Sequence, residues 1–312
     1  MNSKVVVVGV GAVGSATAYN IAIRQLCNEL VLVDVNAEKA EGEAMDISHA
    51  MPLLGGMKVT SAGYEACADA DVIIMTAGVG RKPGETRLDL AAKNAAICKE
   101  ITENIMKHYN GGVILIATNP VDVITSLVTK WTGLPKGRVV GSGTTLDNTR
   151  LCHEISKYLD IDVRSVHGYI LGEHGDSQFV SWDLSNISGV DVASYFKAVG
   201  KEFNNEIKDK IAQDTKTGGG AVIKRKGVTN MGIAACLADV TASILGNSNR
   251  IHTVSTMLDG LYGIDGVALS VLSIVGKDGV VQQLDCPLSD EEYGKLKHSA
   301  EQVRAVLDGV SE

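Results

Sequence analysis

The sequence predicts an α/β fold, with a doubly wound parallel sheet in the N-terminal half and a mixed α+β domain behind it. Three observations carry this. Short continuous apolar runs recur through the first half with helical segments between them, as expected of strands buried on both faces. The first run ends in a glycine-rich turn that opens a helix. Beyond about residue 145 the pattern changes to longer β-like runs and charged helices.

Residues 4–8 (KVVVV) read as the first buried strand, 9–14 as a turn, 15–26 as an amphipathic helix and 30–34 as a second strand. That is a βαβ unit, whose helical crossover makes its strands parallel. Residues 70–76 and 112–117 repeat the short apolar strand. In the second half, 166–171 is strand-like, 191–214 and 229–245 read as helices, and 251–258 and 266–275 are β-like. No Gly-, Pro- or Ser-rich linker marks the border and no repeat recurs. Two closely packed units are expected, 1–145 and 146–312.

Of the 312 residues 45% are hydrophobic and 21% charged, and only five are proline, which excludes a disordered chain. The net charge of −8 is spread without long single-sign runs. The electrostatic footprint of a nucleic-acid or anionic-membrane binder is missing, so any anionic ligand must be met by local cations. Six cysteines make no C-x-x-C pair, and the apolar run at 5–8 is too short for a signal-peptide core. No stretch reaches the ~18 apolar residues of a spanning helix. A soluble protein of the reducing cytoplasm is expected. No His, Cys, Asp or Glu cluster has metal-ligand spacing, so no metal is expected.

The segment VVVVGVGAVGSA sets Gly9, Gly11 and Gly14 in G-x-G-x-x-G spacing, directly after a strand and at the start of a helix. Gly9 permits the tight turn, and Gly11 lets the backbone approach a pyrophosphate seated on the unpaired N–H groups of the helix. An ordinary βα turn can show the same spacing, but Asp34 lies 20 residues beyond Gly14 at the end of the next strand. There a carboxylate can accept hydrogen bonds from both adenosine ribose hydroxyls and repel a 2′-phosphate. A Rossmann domain that takes NAD rather than NADP follows.

In VHGYILGEHGDSQ, His174 follows an apolar run and stands between Gly172 and Gly175, which exposes an imidazole at a strand end. Carbonyl reduction needs such a group, because hydride arriving at carbon must be matched by a proton at oxygen. Asp147, in GSGTTLDNTR, is the candidate carboxylate to orient it. His49, His108, His153, His252 and His298 lack this context. Arginines near these elements suggest an anionic substrate. Arg150 suits a two-bond carboxylate anchor. Arg87, in AGVGRKPGETRLDL, suits polarisation of the carbonyl. Gly78, Gly80, Pro83 and Gly84 make this stretch a candidate lid that brings Arg81 and Arg87 in when substrate binds.

The sequence resembles the lactate/malate dehydrogenase superfamily, and within it the lactate-dehydrogenase-like branch. The resemblance runs from GVGAVG through TAGVGRKPGETRLDL, ATNPVD, GSGTTLDNTR and GEHGDSQ to LYGIDGVALS, over essentially the whole chain. It implies an NAD-binding domain, a substrate domain and a homo-oligomer, usually a tetramer, that interconverts a small 2-oxo acid and its L-2-hydroxy acid. It makes His174 the proton donor and acceptor, Asp147 its partner, Arg87 the carbonyl-polarising arginine and Arg150 the carboxylate anchor. Asn119 in ATNP would bind the substrate oxygen, and Thr229 would line the far end of the substrate pocket, although its place also suits a helix N-cap. The implied cofactor contacts are Gly9, Gly11, Ala12, Val13, Gly14, Asp34, Thr76, Ala77, Gly78 and Asn119. A non-catalytic NAD-binding protein would have no use for His174, Asp147, Arg87 and Arg150 together.

Two departures bear on specificity and regulation. After AGVG the lactate enzymes of this type carry Gln and the malate enzymes Arg; this chain has Arg81. A second substrate carboxylate would pair with it, whereas pyruvate offers only a methyl group. GETR before the lid arginine and Thr229 are lactate-like, so pyruvate and L-lactate are the expected pair, with oxaloacetate and L-malate as the alternative. The other departure lies where many bacterial lactate dehydrogenases bind fructose 1,6-bisphosphate between subunits through an arginine and a histidine. His167 matches the histidine, but the arginine position is Cys152, which removes a principal phosphate fork.

Overall fold

The computed structural model describes residues 3–80 and 84–311. The first half alternates β1 (Lys4–Val8), α1 (Ala12–Ile23), β2 (Glu29–Val33), α2 (Ala37–Leu54), β3 (Lys58–Ser61) and β4 (Val72–Met75). It continues with α3 (Arg87–Met106), β5 (Val113–Ile116), α4 (Val121–Thr132), β6 (Val139–Gly141) and α5 (Thr145–Leu159). The second half runs β7 (Val166–Leu171), β8 (Phe179–Ile187), β9 (Val190–Asp191), α6 (Val192–Ala198), α7 (Asn205–Lys226) and α8 (Met231–Leu245). It closes with β10 (Arg250–Asp259), β11 (Asp265–Gly276), β12 (Gly279–Gln283) and α9 (Asp290–Ser311).

Strands β3, β2, β1, β4, β5 and β6 pair in parallel in that order. Successive valines of β1 face opposite helix layers. Val6 and Val8 pack with residues of α3, α4 and α9 such as Ala95, Ile124 and Leu296, while Val5 and Val7 pack with Ile21 of α1, Ile47 of α2 and Leu237 of α8. Both faces are therefore covered, which is why the strand reads as an unbroken apolar run rather than an alternation. Each such side chain removed from water contributes about 1.5–3 kcal/mol. From β1 the chain winds out to β2 and β3 on one side and then crosses back to β4 on the other, so the crevice at the carboxyl ends of β1 and β4 is the switch point where doubly wound sheets bind ligands.

The same sheet continues beyond β6 through β10, β11 and β12, which join antiparallel, with Ser255 opposite Gly141. Helix α8 of the second half meanwhile packs on α1 of the first. The second half also carries a separate sheet, β7-β8-β9, closed against α5, α6 and α7 around the fully buried Phe196.

The helix expected at 15–26 begins at Ala12 and ends at Ile23, so Gly14 lies inside it. A side chain on Gly14 would collide with the Gly9 carbonyl, so the first turn of α1 packs this close to the β1 turn only because the position is bare. The single helix expected at 191–214 is two. Gly200, at φ +70°, breaks the chain, Phe203 folds back to within 4.6 Å of the Phe196 ring, and the Asn204 side chain accepts the Ile207 N–H to start α7 anew. Thr229 is not an N-cap: α8 starts after Asn230.

Candidate active site

The glycine turn lies at the switch point. Gly9 has φ +94°, and a Cβ there would come within 2.6 Å of the Ala77 backbone nitrogen, so β1 and β4 approach only because the position is bare. Thr76 donates its hydroxyl to the Gly9 carbonyl at 2.7 Å. Gly11 caps α1 with no side-chain hydrogen bond, and a Cβ on it would meet no atom within 4 Å. The helix N-terminus thus faces clear space, which fits a pyrophosphate. Asp34, just past β2, is fixed by the Val10 N–H at 2.7 Å and the Asn36 N–H at 3.0 Å, each carboxylate oxygen keeping a lone pair for a ribose hydroxyl. These residues fit the adenosine and pyrophosphate parts of NAD. Gly78 lies against Thr118 and Asn94, and Val13, Ala117 and Asn119 border the cavity described next.

A cavity of about 330 Å³ opens beside this edge, lined by Asn119, Asp147, Arg150, His174 and Thr229, among others. Just past β7, Gly172, at φ +92°, bridges to Ser270 of β11 and turns the chain so that His174 enters the cavity. The first turn of α5 supplies Asp147, whose side chain is 2% exposed. Its Oδ2 lies 2.6 Å from His174 Nδ1, and its Oδ1 accepts Arg150 Nη1 at 2.8 Å. Spacing i,i+3 on one helix face makes the second contact automatic. With Nδ1–H donating to the carboxylate, Nε2 is the nitrogen left to exchange a proton.

The charges are mutually dependent. Burial pushes the Asp147 carboxyl up, but His174 and Arg150 outweigh it and hold it below the usual carboxylate range. Burial likewise disfavours charged His174, yet Asp147 and Asp122 together raise its imidazole above the ordinary value. A histidine whose protonated form is favoured, beside a guanidinium, can give a proton to an oxygen of a ligand bound in the cavity.

Arg87 is not in this cavity. It begins α3, where Thr86 and Asp89 form a reciprocal cap, and its half-exposed guanidinium pairs with Asp176 and approaches Glu173 to 4.0 Å. Arg81 and Pro83 lie outside the described residues. Two groups had no motif to reveal them. Asn94, buried in α3, accepts the Val79 N–H and donates to the Val79 and Asn119 carbonyls, tying two cofactor-edge loops together. Gly219 and Gly220 of α7 form a wall of the cavity, and a Cβ on Gly219 would lie 3.0 Å from Arg150 Nη2. A polar residue on an otherwise apolar helix face, and adjacent glycines inside a helix at a cost of about 1 kcal/mol each, are the signals that mark them. Among the described residues no group of three His, Cys, Asp or Glu side chains could hold a metal ion.

Comparison with known proteins gives matching domain descriptions. Residues 3–141 match the family model described as lactate/malate dehydrogenase, NAD binding domain, and residues 144–312 match lactate/malate dehydrogenase, alpha/beta C-terminal domain. The chain is 43% identical to an L-lactate dehydrogenase of Thermoanaerobacterium saccharolyticum over 98% of both chains. Two solved structures superpose over nearly the full length. A lactate dehydrogenase from a Medee basin deep-sea metagenome library has a TM-score of 0.94 at 41% identity, covering 100% of this chain and 99% of the other. The L-lactate dehydrogenase of Clostridium thermocellum has a TM-score of 0.86 at 47% identity, covering 99% and 100%.

Proposed function

The chain belongs to the lactate/malate dehydrogenase family and is an NAD-dependent 2-hydroxy acid dehydrogenase, an oxidoreductase acting on a CH–OH group; we propose that its substrate pair is pyruvate and L-lactate. The observation that supports the assignment of roles is the shared carboxylate of Asp147, which sets His174 and Arg150 side by side in one cavity at the cofactor edge. NAD, which the β1 turn and Asp34 would hold, would supply the hydride chemistry when bound. Arg150 holds the substrate carboxylate, and His174 Nε2 gives its proton to the carbonyl oxygen or takes it from the hydroxyl. Asp147 stabilises the imidazolium and fixes its tautomer. Asn119 touches the same oxygen, and Thr229 lines the far end of the pocket. Arg87 polarises the carbonyl once it has exchanged Asp176 for substrate. The Asp34 carboxylate takes the adenosine ribose.

A second reading, oxaloacetate and L-malate, is favoured by Arg81 and by the wall of Gly219 and Gly220, which leaves room for a longer substrate. The test is kcat/KM for pyruvate and oxaloacetate with NADH, measured side by side. A higher value for pyruvate upholds the first reading, and a higher value for oxaloacetate replaces it with the second.

The same proposal divides the chain into a cofactor domain, 1–145, and a substrate domain, 146–312. It places the protein in the cytoplasm as a homo-oligomer, a tetramer. No described helix is long and apolar enough to cross a membrane. Association is supported by Tyr19 and Ile23 of α1 and Met231 of α8, large apolar side chains that are 45%, 48% and 63% exposed.

A further inference from the structure

Asp122 is a buried acid for which the proposed reaction has no direct use. It lies in the first turn of α4, three residues after Asn119, and is 2% exposed. Its Oδ2 accepts the main-chain N–H of His174 at 2.7 Å, and its Oδ1 accepts the hydroxyl of Ser255, on β10, at 2.6 Å. The turn that follows the cofactor strand β5 is thereby fastened to the loop that carries the imidazole. Both bonds could be made by a neutral asparagine, its amide oxygen accepting the N–H and its NH2 donating to the serine oxygen. Burying a charge instead is costly and calls for a function of the charge itself.

The charges around His174 supply it. From α5 come Asp147 and Arg150, from α4 Asp122, and from the loop itself Glu173 and Asp176. Arg87 of α3 and Lys216 of α7 face the loop and pair with Asp176. Asp176, Arg87 and Lys216 have side chains 69%, 49% and 40% exposed, so water screens them. Asp147 and Asp122 are the strongly buried anions of the set, one at the ring and one at the backbone of the same residue.

We propose that Asp122 is a positioning residue that acts through His174: by accepting its main-chain N–H it holds the imidazole against Asp147, and by its buried negative charge it favours the positively charged imidazole. Burial pushes the Asp122 carboxyl up to about 6, against the pull of Ser255 and His174, so it is ionised at neutral pH and loses its charge in mild acid. This inference rests on reading His174 as the proton donor.

The experiment is the pH profile of kcat/KM for pyruvate reduction in wild type, Asp122→Asn, Ser255→Ala and His174→Asn, with NADH affinity measured for each by fluorescence titration. Removing the Asp122 charge disfavours protonated His174, so the alkaline fall in activity of Asp122→Asn moves to lower pH by about 0.5–1 unit while the NADH affinity changes less than about twofold. Ser255→Ala strips a donor from Asp122 but leaves its charge, so its alkaline midpoint stays at the wild-type value. An Asp122→Asn profile that keeps the wild-type midpoints, whatever its kcat, reduces Asp122 to a structural role and overturns the proposal. If Asp122→Asn does not fold, Asp122→Ser, which also removes the charge, decides: a downward shift of the alkaline limb supports the proposal and an unmoved limb overturns it. An active His174→Asn would instead remove the reading of His174 on which the proposal stands.

Discussion

Nδ1 of His174 stands 2.6 Å from Oδ2 of Asp147, on a carboxylate whose other oxygen holds Arg150 at 2.8 Å. One buried acid therefore sets both the tautomer of His174, the proposed proton donor, and its distance from Arg150, the proposed anchor for a substrate carboxylate. The first consequence is for His174→Asn, which keeps a hydrogen-bonding side chain and removes the titrating group. Turnover should fall by about 100-fold or more, while NADH binding, followed by fluorescence titration, stays nearly intact. A variant retaining a tenth of the wild-type rate would take His174 out of the proton-transfer role.

The pair also makes stability depend on pH. His174 is raised above its ordinary 6.5, so its stabilising contribution is fully present below that value and is lost as pH rises through the raised one. Asp147 is lowered from 3.8, so its contribution is present above that value and lost as pH falls through the lowered one. Asp147→Asn should therefore depress the Tm most between those two ordinary values, with the gap to wild type narrowing toward alkaline pH. A gap constant from pH 5 to pH 9 would show that the ion pair adds nothing beyond its hydrogen bond.

Much of this arrangement is legible in the sequence because it is local. The β1 turn, Asp34 and the Asp147–Arg150 spacing are set by a strand, a glycine and a helix period. What is not legible depends on contacts between distant segments. Asp122 looks like any acid at a helix start until β10 and the His174 loop close over it. The break after α6 is invisible in a charged stretch of helical composition, because it depends on Phe203 turning back onto Phe196. That β10–β12 extend the cofactor sheet is likewise a matter of pairing, since an apolar run does not name its neighbour.

Asp34 is held by two backbone N–H groups and cannot easily swing away from an unwelcome ligand. A 2′-phosphate would bring at least one further negative charge against it. NADH should support turnover far better than NADPH, and Asp34→Ser should narrow the difference in kcat/KM by about tenfold or more. Comparable values for the two cofactors in the wild type would remove Asp34 from the ribose site.

At the position where an effector arginine would stand, Cys152 is partly buried and its sulfur accepts the Gly168 N–H at 3.3 Å. A thiol engaged with β7 offers no donor fork to a phosphate, although His167 beside it is exposed. Millimolar fructose 1,6-bisphosphate should leave the pyruvate saturation curve unchanged. A large fall in apparent KM would mean that other cations have taken over the role of the missing arginine.

Arg81 sets one residue against the lactate-like remainder of the chain. With oxaloacetate bound, a guanidinium at this place would neutralise the distal carboxylate in a site closed to water. With pyruvate it would be a cation brought toward a methyl group, which is costly unless it turns to solvent. Oxaloacetate should therefore be turned over at a substantial rate. Arg81→Gln keeps hydrogen-bonding capacity and removes the charge, so kcat/KM for oxaloacetate relative to pyruvate should fall by roughly 10- to 1,000-fold, about 1.4–4 kcal/mol of transition-state discrimination. Pyruvate reduction need not suffer, because its methyl group loses no partner. A ratio within about twofold of wild type would mean that Arg81 does not meet the substrate, and that Thr229 and the bare wall of Gly219 and Gly220 set the length of acid the site accepts.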